Sequence, residues 1–292
     1  MKEHEPHDEA GFAGRAAERF QEGRRAEQSG DLVAAAAAYG EALLRATAPP
    51  PEWHYRLGCV RLKQDDLSGA EEQFRAACEL APRCGRYLTN LGVVLDRRGR
   101  REDAVRSYQK AIFSEDATAA TYHNLGAIYA EEGRSEDAAR AFQSAIDLAA
   151  DPEGYLSLGL VHLHREEFVE AVECFEEATR LDPRFARGQY FAGVCLLRQG
   201  VYAQAVRRFE LALKIDPRLV RAQYHIGIGL HKLERFEEAL AALQRALEAF
   251  PEDGRVHYRL ALTYDALRRP HEARRHYSLA RAPSRRELEA SG

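Results

Sequence analysis

The chain has 292 residues, a pI near 6.3 and a formal net charge of -4. That balance excludes an electrostatic pull toward nucleic acid, no apolar run approaches the ~18 residues of a membrane span, and the N-terminal MKEHEPHDEA is polar and acidic rather than a secretory leader. The five cysteines, Cys59, Cys78, Cys84, Cys174 and Cys195, contain no C-x-x-C pair, which argues against a disulfide framework and a zinc site, so a reduced, cytoplasmic chain is expected.

Residues 1–15 are acidic and poor in large apolar side chains, the composition of a disordered segment. From residue 16 the chain is periodic. Alanines recur at Ala35, Ala70, Ala104, Ala138, Ala171, Ala205, Ala239 and Ala273, at intervals of 33 to 35, and seven residues after each stands another alanine. Four places after the first alanine comes a large apolar residue: Tyr39, Phe74, Tyr108, Phe142, Phe175, Phe209, Leu243 and Tyr277. Offsets of four and three put small, large and small residues on one helical face, as close approach between helices requires.

Twelve places upstream of each first alanine lies Gly23, Gly58, Gly92, Gly126, Gly159, Gly193, Gly227 or Ala261, a small residue for a crossing point in a preceding helix. Gly30, Gly99, Gly133 and Gly200 signal turns within units, and Pro82, Pro183, Pro217 and Pro251 signal breaks between them. The units fall near residues 16–49, 51–84, 85–118, 119–151, 152–185, 186–219, 220–253 and 254–287, leaving a tail at 288–292. Pro283 ends the last helix, and Ser284 with Glu287 reads as a capping box for a short further turn.

The L-G pair near the start of units two to five, the A-x3-F-x2-A core and the closing proline resemble the tetratricopeptide repeat family over residues 16 to 287. The resemblance implies an all-α fold, a right-handed superhelical solenoid of tandem helix-turn-helix units in which each hairpin buries its apolar face on the next. Asp116 and Ala150 depart from the pattern at the proline place, and Arg61 and His162 stand where the family has a large apolar residue.

No P-loop, H-E-x-x-H, G-x-S-x-G or C-x-x-C motif occurs, so no enzyme activity, cofactor or metal is expected. His162 and His164 are two apart and diverge on a helix, and His225 and His231 share no identifiable acidic partner. The family likeness implies that the second, fifth, sixth, ninth, twelfth and thirteenth places of each first helix face a groove. In the last three units those places put Arg187, Arg221 and Arg255 in register, with Tyr190, Tyr224 and Tyr258 three residues on. Phe191, Val194, His225, Ile228 and Arg259 fill the same wall, edged by Arg198 and Lys232. Three guanidiniums one repeat apart suit carboxylates on an extended chain. Asn90 and Asn124, at the sixth place of units three and four, are amides able to pair with a ligand backbone.

The expected function is a non-enzymatic scaffold whose C-terminal groove binds an acidic-apolar peptide segment of a protein partner. The alternative is a homo-oligomer formed through the weakly capped C-terminal end. RNA binding, the third reading, is disfavoured by Glu52, Glu153 and the net negative charge, so no nucleic acid and no membrane insertion are expected.

Overall fold

The structure, a computed structural model, describes residues 9–114 and 116–281. Among the described residues there are sixteen α-helices and no strand. The chain divides into two compact units, Met1–Leu148 and Ala149–Gly292, where the sequence leads one to expect a single run of hairpins. The first unit holds α1 (Glu9–Gln28), α2 (Leu32–Arg45), α3 (Pro51–Lys63), α4 (Leu67–Leu80), α5 (Gly85–Arg97), α6 (Arg101–Ile112), α7 (Ala119–Glu131) and α8 (Ser135–Leu148). The second holds α9 (Pro152–His164), α10 (Phe168–Leu181), α11 (Ala186–Arg198), α12 (Tyr202–Ile215), α13 (Arg221–Lys232), α14 (Phe236–Ala249), α15 (Gly254–Ala266) and α16 (Pro270–Arg281).

Each hairpin closes where a large side chain of its second helix meets a small residue of its first. A Cβ on Gly159 would lie 2.6 Å from the ring of Phe175, which is fully buried, so only glycine lets the two helices come this close. The clasp repeats with Tyr39, Phe74, Tyr108, Phe209 and Leu243, all at most 1% exposed. Burial of each such side chain contributes about 1.5–3 kcal/mol. Hairpin eight has Ala261 in the glycine place, and its Tyr277 stays only half-buried, with its hydroxyl donating to Asp265 at 2.8 Å.

Every turn within a hairpin uses one residue in the left-handed region. Four are glycines, among them Gly200 at φ 79°; the other four are Asp65, Glu166, Glu234 and Arg268, at φ 56–63°. The second helices begin with help from side chains in two hairpins: Asp31 accepts from the Ala34 amide and Asp66 from the Gly69 amide, both at 2.9 Å.

Within each unit the second helix of one hairpin packs on the first helix of the next, and successive first helices also touch: α3 with α5, α5 with α7, α9 with α11, α11 with α13 and α13 with α15. The first helices therefore form a continuous wall on one side of each stack. Polar ties reinforce the stacking. The buried Glu71 carboxylate accepts from Arg75, Arg98 and Arg100, and the buried hydroxyls of Thr89 and Thr121 meet at 2.7 Å.

Two departures from the repeat pattern acquire partners. Asp116, in a proline place, folds back to accept from the amides of Gly85 at 2.6 Å and Arg86 at 3.4 Å, capping α5. His162 Nδ1 lies 2.7 Å from the Glu167 carboxylate, so a hydrogen bond replaces the expected apolar contact. The disordered segment expected over 1–15 is too long: α1 begins at Glu9, because Ala10, Ala13, Ala16 and Ala17 favour helix and Ala16 is buried. Residues 1–8, the capping box at Ser284 and Glu287, and the tail at 288–292 lie outside the described residues.

Candidate functional site

The first-helix wall of the second unit carries most of the expected site residues, on α11, α13 and α15. The helical period places Arg187, Tyr190, Phe191 and Val194 on one stripe of α11; Arg221, Tyr224, His225 and Ile228 on the same stripe of α13; and Arg255, Tyr258 and Arg259 on that of α15. The floor is half-buried: Val194 and Tyr190 pack on the cluster around Phe209 and Ile226, Phe191 on that around Phe175, and Tyr224 on that around Leu243 and Leu260. Tyr258 is more exposed, edge-on to Tyr277 with centroids 6.0 Å apart.

The three arginines in register are not equivalent. Arg187 reaches back one repeat to Glu153, both carboxylate oxygens lying 3.0 Å from one guanidinium nitrogen. The same rung recurs in the first unit, where Arg86 meets Glu52 at 2.8 Å, so this pair is a tie between neighbouring first helices. Arg255 turns onto Asp253, which caps α15 through the Arg255 amide, with a side-chain contact of 2.8 Å. Arg221 is in hydrogen-bond or ion-pair contact with no carboxylate among the described residues, although its charge helps to lower Asp253; its guanidinium lies 5.6 Å from the Phe250 ring centroid. Arg198, Arg259 and Lys232 likewise have no carboxylate partner among the described residues.

His225 sits at the centre of this wall. Its ring stacks on Phe209 with centroids 5.2 Å apart, Tyr190 and Tyr224 stand edge-on to it, and its Nε2 lies 3.1 Å from the Tyr190 hydroxyl. Nδ1 is buried without a hydrogen-bond partner. Burial first, and then the guanidiniums of Arg221, Arg255 and Arg198, push its pKa down to about 4, so the imidazole is neutral at pH 7. His231 is lowered for the same reasons, by burial and then Arg259 and Lys232, and its Nδ1 meets the Thr263 hydroxyl at 3.1 Å.

Asn90 and Asn124 belong to the first unit, and both amides are engaged locally. Asn90 donates to the Arg86 carbonyl at 2.9 Å, and Asn124 bonds the Tyr108 hydroxyl. The sequence reading did not find the carboxylate partners of Arg187 and Arg255. The signal was present for the first: Glu153 precedes Arg187 by 34 residues, one repeat, at the same place in its helix. Among the described residues no cluster of His, Cys, Asp and Glu could hold a metal ion, and no helix is long and apolar enough to cross a membrane.

The tetratricopeptide repeat family profile matches residues 20–83, 55–122, 89–155, 123–173, 156–219 and 224–286. The chain belongs to the tetratricopeptide repeat family. Similar solved structures share the fold. The C-terminal part of a TPR repeat-containing protein from Cytophaga hutchinsonii aligns at 15% identity and a TM-score of 0.70, over 82% of this chain and 99% of that one. MamA from Desulfovibrio magneticus aligns at 25% identity and a TM-score of 0.53, over 59% and 96%. YrrB, described as a TPR protein with an unusual peptide-binding site, aligns at 23% identity and a TM-score of 0.58, over 64% and 97%. No curated protein matches the sequence. As a member of this repeat family the chain is a scaffold for protein interaction, built from stacked helical hairpins.

Proposed function

We propose that the second unit holds an extended acidic-apolar segment of a protein partner along α11, α13 and α15. One observation carries the reading: four cationic side chains in ion-pair contact with no carboxylate among the described residues, Arg198, Arg221, Arg259 and Lys232, share the wall with a half-buried floor of Tyr190, Phe191, Tyr224 and Ile228. Apolar side chains of the ligand pack on the floor while its carboxylates meet the guanidiniums. Arg221 is the central cation, and Arg187, tied to Glu153, contributes to the wall more than to the ligand.

The test is fluorescence anisotropy with a labelled peptide of alternating glutamate and leucine, against wild type, Arg221→Glu and Arg187→Glu. Arg221→Glu is expected to weaken binding by about 2 kcal/mol, roughly thirtyfold, and wild-type binding to fall as salt rises. Arg187→Glu is expected to cost clearly less. Equal binding by wild type and Arg221→Glu would remove the groove from the account.

A further inference from the structure

Polar ties cross hairpins two, three, six and eight at one register, between residues nineteen apart on the first and second helices. His54 meets Gln73 at 2.8 Å, Ser107 donates to the Leu88 carbonyl at 2.9 Å, Arg208 donates to Gln189 at 3.0 Å, and the Nδ1 atoms of His257 and His276 face each other at 2.9 Å. In the first three, a guanidinium, a carbonyl or an amide able to donate or accept keeps the tie intact whatever the pH. In hairpin eight both partners are imidazoles.

The bonds fix where the protons sit. His257 of α15 is 6% exposed, and its Nε2 lies 3.0 Å from the Pro251 carbonyl, which only accepts, so Nε2 carries a hydrogen. The neutral ring then has a bare Nδ1, which accepts from Nδ1–H of His276. One proton can be added at Nε2 of His276 without disturbing this bond. A second can enter only at Nδ1 of His257, where it sets N–H against N–H between two charged rings.

Nothing nearby compensates that second charge. Burial first, then His257 and Arg275, push the His276 pKa below its ordinary value. Tyr264 of α15 stacks on the His276 ring with centroids 5.4 Å apart, Gln244 of α14 donates to the Tyr264 hydroxyl, and Arg269, paired with Glu272, lies over the same tyrosine. No carboxylate among the described residues is hydrogen-bonded or ion-paired to either imidazole. The hairpin is also less firmly closed than the others: α16 is the last described helix, it packs on α15, and its Tyr277 is only half-buried.

We infer that the His257–His276 pair is an acid-sensitive latch, holding α16 on α15 at neutral pH and releasing it when both rings are charged. Because α15 carries Arg255, Tyr258 and Arg259, release takes hairpin eight out of the first-helix wall. The latch does not depend on the ligand proposed above. Linkage fixes the direction: the open hairpin frees both rings to take up protons below the ordinary histidine pKa of about 6.5, whereas the closed one holds at most a single proton. Closure is therefore fully favoured above that pH and weakens by about tenfold per pH unit below it for each extra proton bound on opening.

The experiment is amide hydrogen exchange of the whole protein, read by mass spectrometry from about pH 7 to about pH 5 and corrected for the intrinsic rate at each pH. Opening of α15 and α16 is expected to rise about tenfold per pH unit below about 6.5, while α3 and α4, tied at the same register by His54 and Gln73, stay level. His276→Gln gives hairpin eight the histidine–glutamine tie of hairpin two, which suits either state of His257, and is expected to flatten the rise. Ring-nitrogen NMR of the wild type needs no variant: the second proton is expected to arrive together with the loss of protection in α16. A level wild-type profile, a rise shared equally by α3 and α4, the same rise in His276→Gln, or two charged rings with α16 still protected overturns the latch.

Discussion

The glycine-ring clasp predicts a substitution whose sign depends on its partner. In Gly159→Ala the new Cβ would lie 2.6 Å from one ring carbon of Phe175 and 2.9 Å from two others, closer than carbon atoms pack. Phe175 has no free direction, being 0% exposed and stacked against Phe191 with centroids 5.7 Å apart. Overpacking of this kind costs about 1–3 kcal/mol, offset by the ~1 kcal/mol that alanine gains over glycine in a helix interior, so the single variant should lose about 1 kcal/mol. Phe175→Ala alone leaves a cavity and should cost about 3–5 kcal/mol. In that background the clash is gone, and Gly159→Ala should stabilise by up to about 1 kcal/mol. Urea unfolding followed by circular dichroism, with amide exchange of α9 and α10 as a local readout, measures all four corners of the cycle. An effect of Gly159→Ala with the same sign and size in both backgrounds would refute the clasp. Hairpin eight points the same way, since its alanine at this register faces a tyrosine that is only half-buried.

Two further predictions concern single positions. Asp116→Ala removes the acceptor for the Gly85 and Arg86 amides and should cost about 1 kcal/mol by urea unfolding. The Asp116 carboxyl is lowered despite the opposing effect of partial burial, held down by the Gly85 amide and by Ser114, so its contribution is present above the unfolded-state pKa and is lost as pH falls through the folded one. A pH–stability profile below about pH 4 should therefore be shallower in the variant. Glu166→Gly releases a left-handed residue at φ 61° and should stabilise the second unit by about 0.5–1 kcal/mol, whereas Gly200→Ala, at φ 79°, should destabilise it by a similar amount. Thermal melts of the two variants that shift in the same direction would contradict the assignment of these turns.

The repeat was legible because its signal is volume, and volume recurs. Gly159 with Phe175 and Gly193 with Phe209 are pairs of small and large residues at fixed spacing, and the packing that requires them is local to one hairpin. Turns were legible only where the left-handed place is glycine. Asp65, Glu166, Glu234 and Arg268 adopt the same conformation with no residue type that announces it, because the flanking helices over-determine the turn. The register of the arginines was legible too, but their partners were not. A guanidinium can reach one repeat back, as Arg187 does to Glu153, or two residues along its own chain, as Arg255 does to Asp253, and sequence spacing alone does not choose between these and a ligand. The centre of the wall was the least legible part. His225 reads as one groove residue among several, and only the positions of Phe209, Tyr190 and three guanidiniums around it show a neutral ring with a spare nitrogen.

The central claim is that the ligand lies on the wall of α11, α13 and α15, and site-specific photocrosslinking tests it most directly. A benzophenone side chain is placed at Ile228, on that wall, and in a separate protein at Val169, which is 60% exposed at the start of α10 in the same unit. With the labelled glutamate–leucine peptide, the account predicts a crosslink from Ile228 that disappears in the Arg221→Glu background and none above background from Val169. A crosslink from Val169 with none from Ile228 would place binding on the second helices and contradict the account.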